Sequence, residues 1–495
     1  MSLDVWQKKI QEKRKNTAFR DFLLEVASWW SINLYRNNKL ISIFPPHERS
    51  GSVVWIADYI TCYENVLDWP EIGYNFLEQF SVLFASHTKA AVSHVWSNEN
   101  ADYCNTCFGT KNAYLSFVSG FNTQNIFYST QTWENVQNVF NSSLVTNGSS
   151  NVYYSRVINN SYNVFYSQYM YNCSDMWFCS SCIWCHHCID CEWLENMSYC
   201  IGNKQYTQNI FEDMKREYTP EKFSILHWST FAKKGLNFSC GDCVWSWLYR
   251  CNNLIDGYNA MHYADSKNVV FSDGLTWVKN YYDCIDTGTN SNDFYAICQW
   301  GEDSNHCYMC NFVSLWCFNV FYSIHMESCS FCLGCIGLKN KQFCILNKQY
   351  TKEERYAKVD EIFSAMEQEG TLWEFFPASM NPFYFNDTAA YLIDPSFTKE
   401  EVTKLWYLRR DEPVKVDIPE GVDVVQVSEL GEYESLNSDR SRHIDPTILT
   451  KIIIDEQGNY YKIVNMEYDF LMKHGLPLPR KHRLDRMKEN FRISL

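Results

Sequence analysis

A run of cysteines and histidines is the part of the sequence best suited to chemistry. Five thiols recur at a constant three-residue step with two imidazoles among them, at Cys179, Cys182, Cys185, Cys188, Cys191, His186 and His187. Thiolate sulfur and imidazole nitrogen are the ligands that zinc and softer metals prefer. If the thiols project from one edge of a short repeat, they form a candidate metal site with the ligands Cys182, Cys185, Cys188 and His186.

The same thiols have a plainer interpretation as small buried residues of a repeating core. Cysteine packs as a small hydrophobe when it is buried. A second cysteine set at Cys329, Cys332 and Cys335 has no histidines beside it. We therefore predict a structural role with no cofactor, and zinc is the alternative.

Catalysis has less support. Enzymes that act on polysaccharides need carboxylates and basic groups that converge on one face. The acidic residues of the second half are instead scattered, most of them at predicted turns, where solvated carboxylates are common. They are Asp283, Asp286, Asp293, Glu302 and Asp303. We predict that the protein is not an enzyme, with a polysaccharide-active β-helix enzyme as an alternative.

A repeat of 12 or 13 residues organises the chain and must position these side chains. Asparagine recurs at Asn100, Asn112, Asn125, Asn138, Asn151 and Asn163, and Asp175 and His187 continue the series. Four residues after each comes a small polar side chain, at Cys104, Ser116, Ser129, Ser142, Ser155, Ser167, Cys179 and Cys191. Stacked coils place equivalent residues about 4.8 Å apart, the spacing at which one Asn carboxamide hydrogen-bonds the next. The pattern predicts a mainly β fold, a β-solenoid of short coils.

Apolar and aromatic residues lie between the two ladders. Side chains alternate along a strand, so we expect Asn125, Phe127 and Ser129 on one face and Ile126 and Tyr128 on the other. One aromatic column, which is either exposed or internal, consists of Tyr114, Phe127, Phe140, Tyr153, Phe165 and Trp177. If it is exposed, it is suited to bind sugar rings, bases or the flat surface of a partner protein.

A second, less regular array follows, marked by Asn268 with Ser272, Asn280 with Cys284, Asn292 with Ala296, and Asn319 with Ser323. A shift of 144 residues superposes the first array on it. The shift places Cys173, Cys185, Cys188, Cys191 and Cys200 on Cys317, Cys329, Cys332, Cys335 and Cys344, and the segment 203–207 (NKQYT) on 347–351. The two arrays are therefore related by duplication.

Seven segments follow from these patterns. We expect an α+β head (1–95), the first array (96–206), a helical insertion (207–236), the second array (237–350), a helical cap (351–397), an extended linker (398–450) and a small C-terminal module (451–495). Thr351 and Glu354 form a capping box that begins a helix ending at Gly370, and a shorter helix is expected after Thr207. Such helices cover the open strand edges at the ends of a solenoid.

Charge and hydropathy restrict the class of partner. The net charge is −15, and segments 8–20 and 471–495 each carry +5, which leaves −25 for the rest. An acidic body repels phosphate backbones, so we expect nucleic-acid binding only through the basic ends. No apolar run is long enough for membrane insertion. The first 16 residues lack the apolar stretch of a secretory signal, so we expect a cytoplasmic or otherwise reducing compartment.

The order of segments resembles an uncharacterised family of Cys- and Asn-rich repeat proteins of candidate-phyla bacteria and their environmental relatives, whose repeats are flanked by zinc-ribbon or treble-clef modules. The similar stretches cover most of the chain: 74–80, 97–100, the arrays, 335–344 with its NKQYTKEE continuation, 376–379 and 476–482. The resemblance implies an architecture rather than an activity. Because the regions 33–62 and 451–486 keep at most Cys62, we expect degenerate, metal-free modules held by apolar residues such as Ile453, Tyr461, Phe470 and Leu476.

Together these observations favour a non-catalytic structural or binding protein. A rigid solenoid would present its aromatic face to another copy of itself or to another protein, and a glycan is a further candidate ligand. A nucleic-acid-associated protein that acts through its basic ends is the alternative from another class.

Overall fold

The structure is a computed structural model. It describes residues 9, 18–37, 40–55, 58, 75–93, 98–215, 237–238, 248–249, 251–252, 264–265, 295–298, 304–314, 316–411, 418, 421–437 and 441–494. The chain forms two compact units, residues 1–92 with 235–410, and residues 93–234 with 411–495. The predicted mainly β solenoid fold with helices at its ends is confirmed, and each array belongs to a unit with segments distant in sequence.

The first array is a stack of parallel strands. Its strands are Tyr103–Phe127, Thr130–Trp133, Gln137–Phe140, Ser143–Thr146, Ser150–Tyr153, Arg156–Asn159, Tyr162–Phe165, Gln168–Tyr171, Ser174–Trp177, Ser180–Ile183, His186–Ile189, Ser198–Ile201 and Lys204–Gln205. Each strand pairs in parallel with the strand one coil away, as Val164 does with Val152 and Met176, except the last, Lys204–Gln205, which pairs antiparallel with Ser198–Ile201. The register is thus the 12- or 13-residue repeat of the sequence.

Each coil has four sides of three residues. In the coil that begins at Asn163, left-handed backbone recurs at every third residue, at Asn163, Tyr166, Tyr169 and Asn172, with φ of 54°, 50°, 56° and 51°. Each of these residues turns the chain through a corner. The residue after each corner points inward, and Val164, Ser167, Met170 and Cys173 are accordingly buried. The third residue of each side points outward.

The predicted alternation of faces is wrong for this reason. Ile126 and Ser129 both point inward, because the corner residues Asn125 and Tyr128 have φ of 57° and 53° and turn the chain between them. The side-chain period is therefore three residues, and not the two of a straight strand. The ladder asparagines occupy one corner column, and Asn tolerates left-handed backbone better than most residues.

The 13-residue coils carry their extra residue at the fourth corner. Two successive residues have positive φ there, 64° and 59° at Glu134 and Asn135 and 55° and 72° at Asn147 and Gly148. The 12-residue coils have one such residue at this corner, for example Asn160. The extra residue leaves the inward positions in register, so both lengths share one core.

The Ser/Cys ladder lies inside the coils and is hydrogen-bonded. The Ser155 hydroxyl donates to the Tyr153 carbonyl over 2.9 Å, and its oxygen accepts the Ser167 amide of the next coil over 3.0 Å. Cysteine makes the same contacts with sulfur, since the Cys191 thiol donates to the Ile189 carbonyl over 3.1 Å. Both side chains are small enough for the interior. They form hydrogen bonds with backbone N–H and C=O groups that take no part in strand pairing.

Each array ends in the same hairpin, built by the duplicated NKQYT segment. The Asn203 carboxamide accepts the Glu192 amide over 2.8 Å and donates to the Glu192 carbonyl over 2.9 Å. Asn347 makes the equivalent bonds to Ile336, also of 2.8 and 2.9 Å. The carboxamide thus replaces the backbone of the coil that would have followed, and the antiparallel strand covers the edge.

The unit of residues 1–92 and 235–410 contains the second array. The strands of this unit are Tyr35–Asn37, Leu40–Ser42, Val53–Val54, Lys89–Ala90, Asn237–Phe238, Leu248–Tyr249, Cys251–Asn252, Ala264–Asp265, Tyr295–Cys298, Asn305–Ser314, Phe318–Phe321, Ile324–Glu327, Ser330–Leu333, Cys344–Ile345 and Lys348–Gln349. Its α-helices are Phe19–Glu25, Phe76–Ser86, Lys352–Glu369, Ala389–Ile393 and Lys399–Lys404. Short 3-10 helices span Ala27–Trp29, Glu48–Ser50, Ala378–Met380 and Phe385–Asp387. Of the repeat markers predicted here, Asn319, Ser323 and Ala296 are described, and the others lie outside the described residues.

The helix after the second array covers its aromatic side. Lys352–Glu369 has the predicted capping box of Thr351 and Glu354 and ends at left-handed Gly370, which has φ of 75°. Phe363 meets the Phe321 ring at 5.7 Å between centroids, and the Tyr322 hydroxyl accepts the Trp373 amide over 2.6 Å. This segment is therefore a side cover as well as an end cap.

The C-terminal module is larger than predicted. Strand Val424–Gln426 pairs in parallel with Ile452–Ile454, so this part of the segment expected as a linker over 398–450 packs with the C-terminal module. Its remaining elements are the strands Glu434–Leu436, Arg442–Ile444 and Tyr460–Tyr461, the 3-10 helices Val427–Tyr433 and Pro446–Thr450, and the helices Asn465–His474 and Arg483–Ser494. Ile453, Tyr461, Phe470 and Leu476 are buried, as expected. None of the helices in the described ranges is long and apolar enough to cross a bilayer.

Candidate functional site

The predicted asparagine ladder is confirmed in the first array. Each carboxamide donates to the next along the stack, over 3.0 Å from Asn100 to Asn112 and over 2.8 Å from Asn125 to Asn138. The ladder continues through Asn151 and Asn163 to the carboxylate of Asp175, which accepts over 2.8 Å. Its members are structural, because each binds its neighbours within the stack.

The aromatic column points outward, but its middle is not exposed. Phe127, Phe140, Tyr153 and Phe165 are buried, and Phe127 and Phe140 stack at 5.0 Å and 10°. Phe470 of helix Asn465–His474 covers them, with its ring 4.5 Å from Phe140 between centroids. The surface predicted to receive a partner is thus occupied by the protein's own C-terminal module.

The two ends of the column differ from its middle. Tyr114 is partly exposed, at 5.4 Å from the Tyr103 ring. Trp177 is half-buried and packs against the cluster of Ile189, Ile201 and Phe211, where helix Gln208–Lys215 covers the side. The alternative of a column inside the coil is wrong, since the interior is filled by the inward residues.

A buried ion pair within the module lies against the coils of the first array. Arg486 and Glu467 meet at 2.7 Å with side chains 2% and 0% exposed, and the guanidinium lies 5.1 Å from the Tyr128 ring centre. Burial alone would lower the pKa of Arg486, but the Glu467 carboxylate raises it above its usual value. The Tyr154 hydroxyl also donates to Glu489. Helix Arg483–Ser494 lies against strands Ser143–Thr146 and Arg156–Asn159, which closes a second side of the coils.

The alternative metal site at the cysteine run is not assembled among the described residues. The three-residue step is the period of the inward positions, so the thiols point inward from successive sides rather than from one edge, and Cys182, Cys185 and Cys188 are each 0% exposed. His186 points outward, where its Nδ1 hydrogen-bonds the Ser174 hydroxyl at 2.7 Å. Among the described residues no group of three or more His, Cys, Asp or Glu side chains is arranged to hold a metal ion. The absence of a cofactor stays a prediction, and Cys62 lies outside the described residues.

The third and fourth sides of the first array form an open face. Its outward and corner positions are mostly amides, hydroxyls and aromatic rings: Asn159, Asn160, Tyr162, Tyr171, Asn172, Ile183, Trp184, Asn196 and Ser198. Asn160 donates to Asn172 over 2.5 Å, and Asn159 donates to Thr146 over 2.8 Å. Trp184 and Tyr162 are 52% and 51% exposed, so the face combines fixed amide rows with accessible rings.

The open face carries one exposed lysine at its N-terminal end, Lys111, which pairs with Glu99 at 2.9 Å, and no exposed Lys or Arg from there to Asn203. Between Asn112 and Asn203 the sequence holds a single Lys or Arg, Arg156, whose side chain is buried on the closed second side. Glu134 and Glu195 lie on the open sides and are exposed. The face is thus uncharged to weakly acidic. The sequence did not reveal the open face, because the assumed side-chain period of two residues assigns the outward columns incorrectly.

The basic ends are partly neutralised by contacts within the protein. Arg20 pairs with Asp394 at 3.1 Å and with Glu401 at 2.5 Å, and Lys481 pairs with Glu489. The other basic residues of segment 8–20, except Lys9, lie outside the described residues, as do the carboxylates Asp283, Asp286, Asp293, Glu302 and Asp303.

Comparisons with known proteins found no match among family models, curated proteins or solved structures. The resemblance to the Cys- and Asn-rich repeat family therefore stays a prediction.

Proposed function

We propose that the protein is a non-catalytic binding scaffold whose open face binds a linear neutral glycan. The observation that carries the proposal is the repetition of fixed amides and exposed rings along this face. Amides and hydroxyls hydrogen-bond vicinal sugar hydroxyls, and the flat apolar side of a sugar ring packs on tryptophan or tyrosine. A linear polymer with a regular repeat matches a surface with a regular coil spacing.

Charge and rigidity support the choice of ligand. Between Asn112 and Asn203 the face has no exposed Lys or Arg to bind the phosphates or carboxylates of an anionic polymer, which disfavours nucleic acid. The amide rows are hydrogen-bonded before any ligand arrives, so binding orders few side chains. Tyr162 and His186 occupy the same column two coils apart, roughly 10 Å at the usual strand spacing.

Affinity electrophoresis of the full chain in gels that contain mixed-linkage glucan, xylan or galactomannan tests the proposal, with polygalacturonate as the anionic control. We expect retardation by at least one neutral polymer, and Trp184→Ala or Tyr162→Ala should weaken it about tenfold. Trp406→Ala is the matched control, because Trp406 is 70% exposed in the other unit. The proposal is wrong if no neutral polymer retards the protein, or if Trp406→Ala weakens the retardation as much as the open-face variants do. Release of reducing ends from a polymer would show that the protein is catalytic.

Self-association is a second candidate, supported by the second array. Trp316 and Phe318 are 66% and 39% exposed and lie two residues apart, and His306 packs edge-on against Phe318 at 5.5 Å. Light scattering after size-exclusion chromatography should then show a dimer that Trp316→Lys converts to a monomer. A monomer at all concentrations would exclude this candidate.

The nucleic-acid alternative has less support. Arg486 is buried in its ion pair, and Arg20 and Lys481 have acidic partners. It predicts binding that weakens steeply with salt and disappears when segments 8–20 and 471–495 are removed.

A further inference from the structure

The duplicated cysteines stack in pairs across neighbouring coils. In the second array Cys332 and Cys344 occupy the same inward column one coil apart, as Cys188 and Cys200 do in the first. Neighbouring strands are about 4.8 Å apart, and disulfides span Cα separations of about 4.4–6.8 Å. Each pair is therefore close enough to be joined, and all four residues are free thiols here.

The surroundings of the two pairs differ in charge. The 144-residue shift places Met197 on Lys341 and Phe211 on Arg355. The pair Cys188/Cys200 thus has a thioether and a benzyl ring at the positions where Cys332/Cys344 has two cations. In the first array Phe211 packs on Ile189 and Ile201, as a helix residue that covers an apolar column should.

Arg355 is an unusual residue for such a position. Its side chain is 0% exposed, and the Nε, Nη1 and Nη2 atoms have no hydrogen-bond partner within the described part of the chain. The guanidinium lies over the rings of Tyr356 and Phe331, at 5.2 and 6.0 Å from their centres. The groups that act on it electrostatically are Tyr356, Cys332 and Cys335. A buried unpaired cation is costly, and a nearby thiolate would reduce that cost.

The pKa values of the last thiol of each array, Cys344 and Cys200, differ in direction, and Lys341 is the cation that contributes to the difference. The pKa of Cys344 is lowered, mainly by the hydrogen bond with Cys332, and Lys341 acts in the same direction. The pKa of Cys200 is instead raised by burial. The two arrays therefore combine the same sulfur geometry with different electrostatics.

We propose that Cys332 and Cys344 form a thiol–disulfide exchange site, in which Lys341 stabilises the Cys344 thiolate and Arg355 the Cys332 thiolate. The Cys344 thiolate attacks one sulfur of a low-molecular-weight disulfide and releases one thiolate. Cys332 then loses its proton and attacks the Cys344 sulfur, which forms the Cys332–Cys344 bond and releases the second thiolate. Two electrons pass from the two cysteines to the small disulfide, which leaves as two thiols.

The position of the pair in the array explains how a buried thiol reacts. Cys344–Ile345 is the last parallel strand before the hairpin strand Lys348–Gln349. Terminal elements open locally at lower free energy than central ones. Opening of this coil exposes Cys344 while the rest of the array stays folded.

Incubation of the full chain with glutathione disulfide tests the proposal. Free thiols are trapped with a light alkylating label, disulfides are reduced and labelled with a heavy one, and peptides are read by mass spectrometry. We expect Cys332–Cys344 to form about threefold faster than Cys188–Cys200 or more, because a lower thiol pKa raises the thiolate fraction more than it lowers the nucleophilicity of the thiolate. Arg355→Phe, which copies the other array, should remove the difference, and Arg355→Lys should keep most of it.

Three outcomes would overturn the proposal. They are equal rates at the two pairs, an unchanged rate in Arg355→Phe, and a mixed disulfide at Cys344 that never resolves to the pair. The comparison of the two pairs within the wild-type chain remains decisive if a variant does not fold.

Discussion

Replacement of Asn138 separates the two contributions of a ladder asparagine to stability. Asn138 accepts from Asn125 over 2.8 Å, donates to Asn151 over 3.1 Å, and has φ of 55°. Each hydrogen bond contributes about 1 kcal/mol net, and left-handed backbone costs an alanine about 1 kcal/mol. Asn138→Ala should therefore lower the free energy of unfolding by about 3 kcal/mol, and Asn138→Gly by about 2 kcal/mol.

Asn196 provides the matched control. It has φ of 53° and is exposed, but its side chain makes no hydrogen bond within the described ranges. Asn196→Ala should cost about 1 kcal/mol and Asn196→Gly close to nothing. Urea unfolding followed by circular dichroism and by fluorescence measures all four variants. Equal costs of the same substitution at the two sites would refute the assignment of about 2 kcal/mol to the ladder bonds.

Three further predictions concern the covers and caps. Phe470→Ala should destabilise docking of the C-terminal module by about 3 kcal/mol, because it removes a buried ring. The check is faster hydrogen exchange in strands Gln137–Phe140 and Ser150–Tyr153, and unchanged exchange would contradict the cover. Asn203→Ala and Asn347→Ala should each lower stability by about 3 kcal/mol, because each loses two hydrogen bonds in a hairpin cap and places alanine on left-handed backbone with φ of 62° or 65°. Thermal unfolding compares them with Gln205→Ala, which is expected to cost less. Burial lowers the pKa of His474 to about 4 from 6.5, so the unfolded state binds the proton more tightly. The contribution of neutral His474 to the free energy of unfolding is complete above pH 6.5 and is lost as the pH falls through about 4. His474→Gln should remove this part of the pH dependence, which urea unfolding at several pH values measures.

The repeat, the duplication and the cap helices could be read from the sequence because they depend on residue types at fixed spacing. Asn and Ser/Cys recur since each coil needs the same ladder contacts. The side-chain orientations could not be read, since strand alternation assumes straight backbone and the corners at Asn125 and Tyr128 break it.

The cover of the aromatic column was also hidden in the sequence. Phe470 contacts Phe140 across 330 residues, and no local pattern encodes that contact. The same limit applies to His186, whose spacing beside Cys185 suggests a shared site although the two side chains point to opposite sides of the coil wall. A role for Arg355 could not be predicted from the sequence either, because it depends on the burial of the side chain and on its position beside the thiols.

Hydrogen exchange of the full chain with and without the neutral polysaccharide that binds best is the decisive test of ligand binding at the open face. We expect slower exchange in peptides that cover 159–163, 171–175 and 183–187, with no change over 465–474. Protection confined to the C-terminal module, or no protection in the first array, would contradict the assignment of function to the open face.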